Sequence, residues 1–173
     1  MLKKSLLFTL CMSAMAVSHA LEPFKLSDQG TVGFYIKKFG IKIVDATFGE
    51  VNSTVKFDST QLAQTQINFT MQVPSIQPTT SSLKDMLLGE KYFNAAKYQQ
   101  IVFDSTKIQA LGRNKYNVFG NLTIKGKTRP VVFYSTITPN HIKATTQVQM
   151  KNFEMKSIAD HVDIYVDGDL VQK

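Results

Sequence analysis

Residues 64–73 read QTQINFTMQV, with Thr65, Ile67, Phe69, Met71 and Val73 alternating against Gln64, Gln66, Asn68, Thr70 and Gln72. A period of two puts successive side chains on opposite faces of an extended chain, so this stretch predicts a strand with one dry face and one wet face. The same pattern recurs along most of the chain. Thr31–Lys38, Glu50–Asp58, Ile101–Ala110, Lys115–Lys125, Pro130–Thr138, His141–Met150 and Val162–Val171 all alternate. Together these predict eight strands. Leu111–Asn114, Lys125–Thr128 and Thr138–Asn140 read as short hairpin connections. Sequential antiparallel strands, each with one apolar face, must fold over on themselves to bury it, and closure also removes exposed edges. The predicted fold is therefore all-β: an eight-stranded antiparallel barrel.

One region breaks the alternation. Pro74–Gln100 opens on the loop PSIQPTTSS. Leu83, Met86 and Leu87 then fall at helical spacing, and Ser82 with Asp85 forms a capping-box pattern ahead of them. One or two short helices are expected around residues 75–98, in a connection long enough to cover something.

The first twenty residues stand apart. MLKKSLLFTLCMSAMAVSHA carries Lys3 and Lys4, an apolar run and small residues Ser18 and Ala20 at a cleavage boundary. These are the marks of a secretory signal peptide, which places the remaining chain, 21–173, in the periplasm as a single domain. Cys11 would leave with the signal, so no disulfide is available and the core or a ligand must stabilise the fold. Removal of Lys3 and Lys4 takes the formal charge from +7 to +5. No nucleic-acid motif is present, and export argues against such a partner.

Catalytic patterns are scarce. There is no G-x-S-x-G elbow, H-E-x-x-H pair or Gly-rich phosphate loop. His161 lies among Asp160, Asp163, Asp167 and Asp169, but without the spacing of an oxygen-ligand loop. No catalytic residue, metal ligand or cofactor is expected. What recurs is an apolar face rich in Phe and Met, residue types that mould around a flexible hydrocarbon. A barrel of eight strands is just wide enough to be filled by side chains or to hold a small ligand. Alternation alone leaves both outcomes open.

Two stretches resemble signatures of the YceI-like family. In LLGEKYFNAAKYQQIVF, residues Leu87, Tyr92, Phe93, Tyr98, Ile101 and Phe103 match its L-x-S-x-x-F-F-D-x-x-x-Y-P-x-I-x-F segment. In VFGNLTIKGKTRPV, residues Gly120, Leu122, Thr123, Ile124, Gly126, Thr128, Pro130 and Val131 match G-x-L-T-I-x-G-x-T-x-P-V. Weaker similarity runs through Val32–Gly40 and Phe48–Asp58 to Phe153 and Met155. The resemblance implies a lipocalin-like barrel that binds a long-chain isoprenoid lipid, a polyprenyl lipid or isoprenoid quinone, in an apolar tunnel. The expected lining is Phe34, Ile36, Phe57, Ile67, Phe69, Met71, Met86, Leu87, Phe93, Phe103, Leu122, Phe133, Met150 and Phe153. It is also compatible with a homodimer and with transient contact at a membrane surface. Lys38, Leu83, Lys84, Met86 and Glu154 depart from the family pattern at polar positions of the tunnel mouth. Lys37, Lys38, Lys42, Lys125, Lys127 and Arg129 form a basic set that either meets an anionic headgroup or is simply solvated. Three other readings stand beside the lipid carrier: a filled-core adaptor or stress-associated protein acting through its outer surface, an enzyme with a pocket in the barrel, and an outer-membrane barrel.

Overall fold

The computed structural model describes residues 21–173 apart from Ser157 and Asp160. The segment expected to be a signal peptide, 1–20, lies outside the described residues. Eleven strands form one hydrogen-bonded sheet: β1 (Phe24–Leu26), β2 (Thr31–Lys38), β3 (Ile41–Phe48), β4 (Val51–Lys56), β5 (Gln66–Gln72), β6 (Ile76–Pro78), β7 (Gln100–Gly112), β8 (Lys115–Ile124), β9 (Lys127–Thr138), β10 (His141–Val148) and β11 (Val162–Gln172). Eight of them close a ring in the order β1-β4-β5-β7-β8-β9-β10-β11, because β1 pairs with both β4 and β11. The expected eight-stranded antiparallel barrel is thus present. Its membership differs from the alternating runs, since β1 closes the ring, while β2, β3 and β6 extend the sheet beside it.

Strand β11 explains how this works. Its last residues, Leu170–Gln172, pair with β1, while Asp163–Asp167 pair with β2. One long strand therefore serves two short successive partners. β3 then continues the sheet from β2, and β6 pairs on its far side. Strands β1 and β6 have three residues each, too few to show a period. In β3 the apolar residues Ile43 and Val44 are adjacent, and a register shift opposite Ile36/Lys37 marks a β-bulge. The extra residue resets the alternation, which hides the strand from a period-two reading.

The tight hairpins follow from turn chemistry. Arg113–Asn114 and Phe39–Gly40 link paired neighbours with both central residues at positive φ. Lys125–Gly126 does the same between β8 and β9. Such two-residue turns match the right-handed twist of the strands they join.

The strand registers give the barrel two distinct ends. The β7–β8 and β9–β10 turns, Phe57 and the end of β11 gather at one. The β2–β3 hairpin, the β8–β9 turn and the long connection after β6 gather at the other. That connection contains a single short helix, α1 (Leu83–Leu88), and residues 89–98 are turns. Ser82 does not cap α1 with its side chain. Its backbone is already helical, whereas a capping residue needs an extended conformation to aim its hydroxyl at the first turn.

Candidate functional site

The inward faces of the strands surround an internal cavity. Val32, Phe34 and Ile36 come from β2, Ile67, Phe69 and Met71 from β5, and Ile101 and Phe103 from β7. Val118, Leu122 and Ile124 of β8 face Phe133 and Ser135 of β9, while β10 and β11 contribute Ile142, Ala144, Val148, Val162, Ile164 and Val166. Leu87 and Phe93 enter from the long connection, and Met150, Phe153 and Met155 from the segment after β10. The only polar side chain among these is Ser135, whose hydroxyl turns to the Phe133 carbonyl oxygen at 3.4 Å. No lining side chain is titratable.

The gap is long but narrow. Its volume is about 70 Å³. Yet its wall draws on β2, β5 and every strand from β7 to β11, so the space is a thin slot between side chains and not a chamber. Apolar walls of this kind gain nothing from water, whereas each methylene moved into such a site gains about 0.8 kcal/mol.

Ring packing shapes the slot. Phe103 meets Phe133 edge to face, with centroids 4.9 Å apart. Phe103 also lies over Gly120, where a Cβ would fall on its ring. At the end of the barrel that bears the long connection, Phe93 sits edge-on to Phe34 at 5.7 Å and to Phe48 at 6.4 Å. Phe93 therefore acts as a plug, delivered by the loop and gripped by two strand residues.

The plug is fastened by backbone contacts. Phe93 N–H donates to the Leu87 carbonyl and Ala95 N–H to that of Leu88, at 3.0 and 2.9 Å. Lys156 N–H reaches the Lys91 carbonyl at 2.7 Å. The Lys125 ammonium donates to the carbonyl oxygens of Glu90 and Glu154, and Lys127 pairs with the Glu154 carboxylate at 2.9 Å. Hydrogen bonding to Lys127 holds the Glu154 carboxyl below its usual range. Two of the six basic residues of the expected rim thus tie loops together. A third, Lys42, pairs with Asp45 at 2.8 Å.

Twelve of the fourteen residues expected to line a tunnel border this cavity; Phe57 and Met86 do not. Phe57 lies at the opposite end of the barrel, half-buried and edge-on to Tyr116 at 5.1 Å, where it helps to floor the core. Alternation placed its side chain on the apolar face but carries no information on height along the axis. Met86 lies about 100° around α1 from Leu87, at the margin of the same apolar face, and does not border the cavity. Leu87 is buried and Met86 packs half-exposed against the core. Phe48 was missed because its strand was missed. Ser135 gave no signal beyond its inward phase in β9.

The acidic residues near His161 do not converge. Asp163 accepts from Gln147, and Asp167 and Asp169 both face His141, while Asp160 lies outside the described residues. Among the described residues no group of three His, Cys, Asp or Glu is placed to hold a metal ion.

Comparison with known proteins agrees with this geometry. The YceI-like domain model matches residues 25–170. A UPF0312 protein of Photorhabdus laumondii is 28% identical over 172 residues, spanning 91% of this chain and 89% of that protein. A UPF0312 protein of Yersinia pestis is 29% identical over 126 residues, which cover 73% of this chain and 64% of the relative's length. Among solved structures, BcnA of Burkholderia cenocepacia superimposes with a TM-score of 0.77 at 27% identity, covering 83% of this chain and 97% of that one. A polyisoprenoid binding domain from Saccharophagus degradans, implicated in plant cell wall breakdown, gives 0.64 at 9% identity, over 88% and 99% of the two chains. At that identity the likeness is one of fold alone. Matched over most of its length by the family's domain, and folded as the same kind of barrel, the chain belongs to the YceI-like family.

Proposed function

We propose that this protein is a periplasmic carrier that binds a long-chain isoprenoid lipid, a polyprenyl lipid or isoprenoid quinone, in the barrel cavity, and that it is not an enzyme. One observation carries the reading: the cavity wall is apolar throughout, with Ser135 as its single polar side chain. Such a wall offers nothing to activate a nucleophile or move a proton, and much to hold a hydrocarbon. The polyisoprenoid-binding domain of Saccharophagus degradans supports the same class of ligand.

Met71, Met150 and Met155 line the slot beside the Phe103–Phe133 pair and can adapt its width to a tail. Methionine is suited to this, having three rotatable bonds and no branch. Because the wall has no charged group, recognition rests on the tail and a polar headgroup stays at an end of the slot. A pocket of this kind separates neighbours differing by one methylene by only about 1–3 kcal/mol. Tolerance among long tails is expected.

Native mass spectrometry of protein purified without detergent, followed by organic extraction, tests the proposal. A bound isoprenoid near one per barrel supports it. An apo mass that persists after incubation with polyprenyl lipids and quinones would make the cavity a packing defect and favour a filled-core protein acting through its surface.

A further inference from the structure

The β2–β3 hairpin projects past the end of the barrel and exposes apolar side chains where water should penalise them. Phe39 is 93% exposed, Ile41 69% and Ile43 39%. Three of the six large exposed hydrophobic residues among the described residues thus fall within five positions. Exposed apolar groups scattered singly are ordinary, but a cluster on one projecting tip is not.

The bulge arranges this tip. Lys37 and Lys42, paired across the hairpin, both lie over the Tyr35 ring, at 4.9 and 4.7 Å, and Lys42 also reaches Asp45. Those groups mark the outer face. Ile41 pairs with Lys38 at the tip, Ile43 is the extra residue of the bulge, and Phe39 occupies the turn itself, held there at a φ of 51°. A phenylalanine in a left-handed turn position costs conformational energy that Asn or Gly would avoid. It is a residue presented outward at the expense of turn stability.

Charge identifies the partner. Residues 37–42 hold three lysines and no acid. Among the described residues, Asp45 is engaged by Lys42, and Asp163, which borders the same surface hollow as Lys37 and Lys38, accepts from Gln147. A basic tip with an aromatic and two aliphatic side chains at its apex combines attraction to anionic headgroups with apolar insertion at the headgroup–acyl boundary. We propose that the β2–β3 hairpin docks the protein on an anionic phospholipid bilayer, with Phe39 and Ile41 inserted and Lys37 and Lys38 against the phosphates. The hairpin rises from the end of the barrel at which Ile36, Val148 and Val162 line the cavity. If the cavity carries lipid, docking would bring that end to the source of its cargo, but the docking itself does not depend on the cargo.

The chain contains no tryptophan, so Phe39→Trp creates a single reporter at the apex. Its emission is followed on adding phosphatidylglycerol/phosphatidylethanolamine vesicles, with pure phosphatidylcholine vesicles alongside. The expected result is a blue shift with the anionic vesicles, weakened by salt. Co-sedimentation with the same vesicles should fall about tenfold or more in Phe39→Ser/Ile41→Ser, and should fall also in Lys37→Glu/Lys38→Glu. Unchanged melting temperatures would show that these exposed positions leave the fold intact. Emission unmoved by anionic vesicles overturns the proposal. So does a blue shift that appears without lipid as protein concentration rises, which would make the hairpin an interface with a second copy. Lipid cargo is read separately by mass spectrometry, so failure of docking and failure of the carrier reading remain distinct.

Discussion

The ammonium of Lys125 donates to the carbonyl oxygen of Glu90 at 2.7 Å and thereby joins the β8–β9 turn to the segment that delivers Phe93. A second bond from the same ammonium, to the Glu154 carbonyl at 3.1 Å, brings in the loop after β10. Three connections distant in sequence are held at one point over one end of the cavity. Lys125→Met keeps the stem and removes both bonds. We expect a stability loss of about 1 kcal/mol, in keeping with hydrogen bonds made near solvent. The sharper effect should be local: amide exchange in residues 89–98 accelerates while that of β8 and β9 does not. Uniform acceleration through the barrel would show that the lysine stabilises the whole fold and not the cap.

Gly120 and Phe103 form a second dependent pair. A methyl group at Gly120 would occupy the space of the Phe103 ring and press on the Asp104 carbonyl. Gly120→Ala should therefore force the ring off its edge-on contact with Phe133, at about 1–3 kcal/mol of stability. Ring-proton chemical shifts of Phe133 check this, because they report directly on the neighbouring ring. Unaltered shifts would mean that β7 and β8 separate instead.

Ala144 offers a way to fill the slot without charge. It lines the cavity from β10 and is buried. Ala144→Leu should reduce co-purified lipid strongly, while the folded state loses no more than about 1–3 kcal/mol. Phe133→Ala should do the opposite, lowering the stability of the empty protein by about 3–5 kcal/mol while leaving room for a bulkier tail. The two variants are compared by lipid extraction and denaturant melts. Equal lipid content in both would place the ligand elsewhere.

His141 provides a prediction in pH. Its Nδ1 lies 2.8 Å from Asp169 and its Nε2 3.0 Å from Asp167, contacts that only the doubly protonated ring can donate to together. The bond to Asp169 leads in raising its pKa, against some desolvation, with Asp167 adding to the rise. The same cluster holds Asp167 below its usual value, chiefly through its bond from Lys143. A raised histidine pKa stabilises the fold fully below the unfolded value of about 6.5 and loses that contribution as pH rises through the folded value. Asp167 works the other way, stabilising above its unfolded value of about 4 and failing on acidification through its folded value. The melting temperature of His141→Asn should therefore fall below that of the parent near pH 6, with the gap closing towards pH 9. The effect should be small, because these side chains are largely solvated. A gap that widens with rising pH would contradict the arrangement.

Much of this architecture was legible in the chain because a period of two is a direct record of burial. Ile67, Phe69 and Met71 alternate with polar residues, and they face the cavity. The turns were legible for the same reason: Lys125–Gly126 and Arg113–Asn114 are short polar breaks between periodic runs. Family resemblance added the kind of barrel. Periodicity determined which side chains turn inward, since that depends only on the local geometry of an extended backbone.

Tertiary structure alone decided where along the axis each inward side chain sits, which strands close the ring and which side chains border empty space. Phe57 and Phe69 share a phase and differ in fate, one flooring the core against Tyr116 and the other facing the slot. Strand β1 is three residues long and closes the barrel, because β11 is long enough to pair with it beyond β2. Lys125 and Lys37 read alike as basic residues of the rim, yet one bonds two loop carbonyls and the other lies over the Tyr35 ring at the base of an exposed tip. Such differences arise from contacts between segments far apart in the chain, and local backbone geometry holds no record of them.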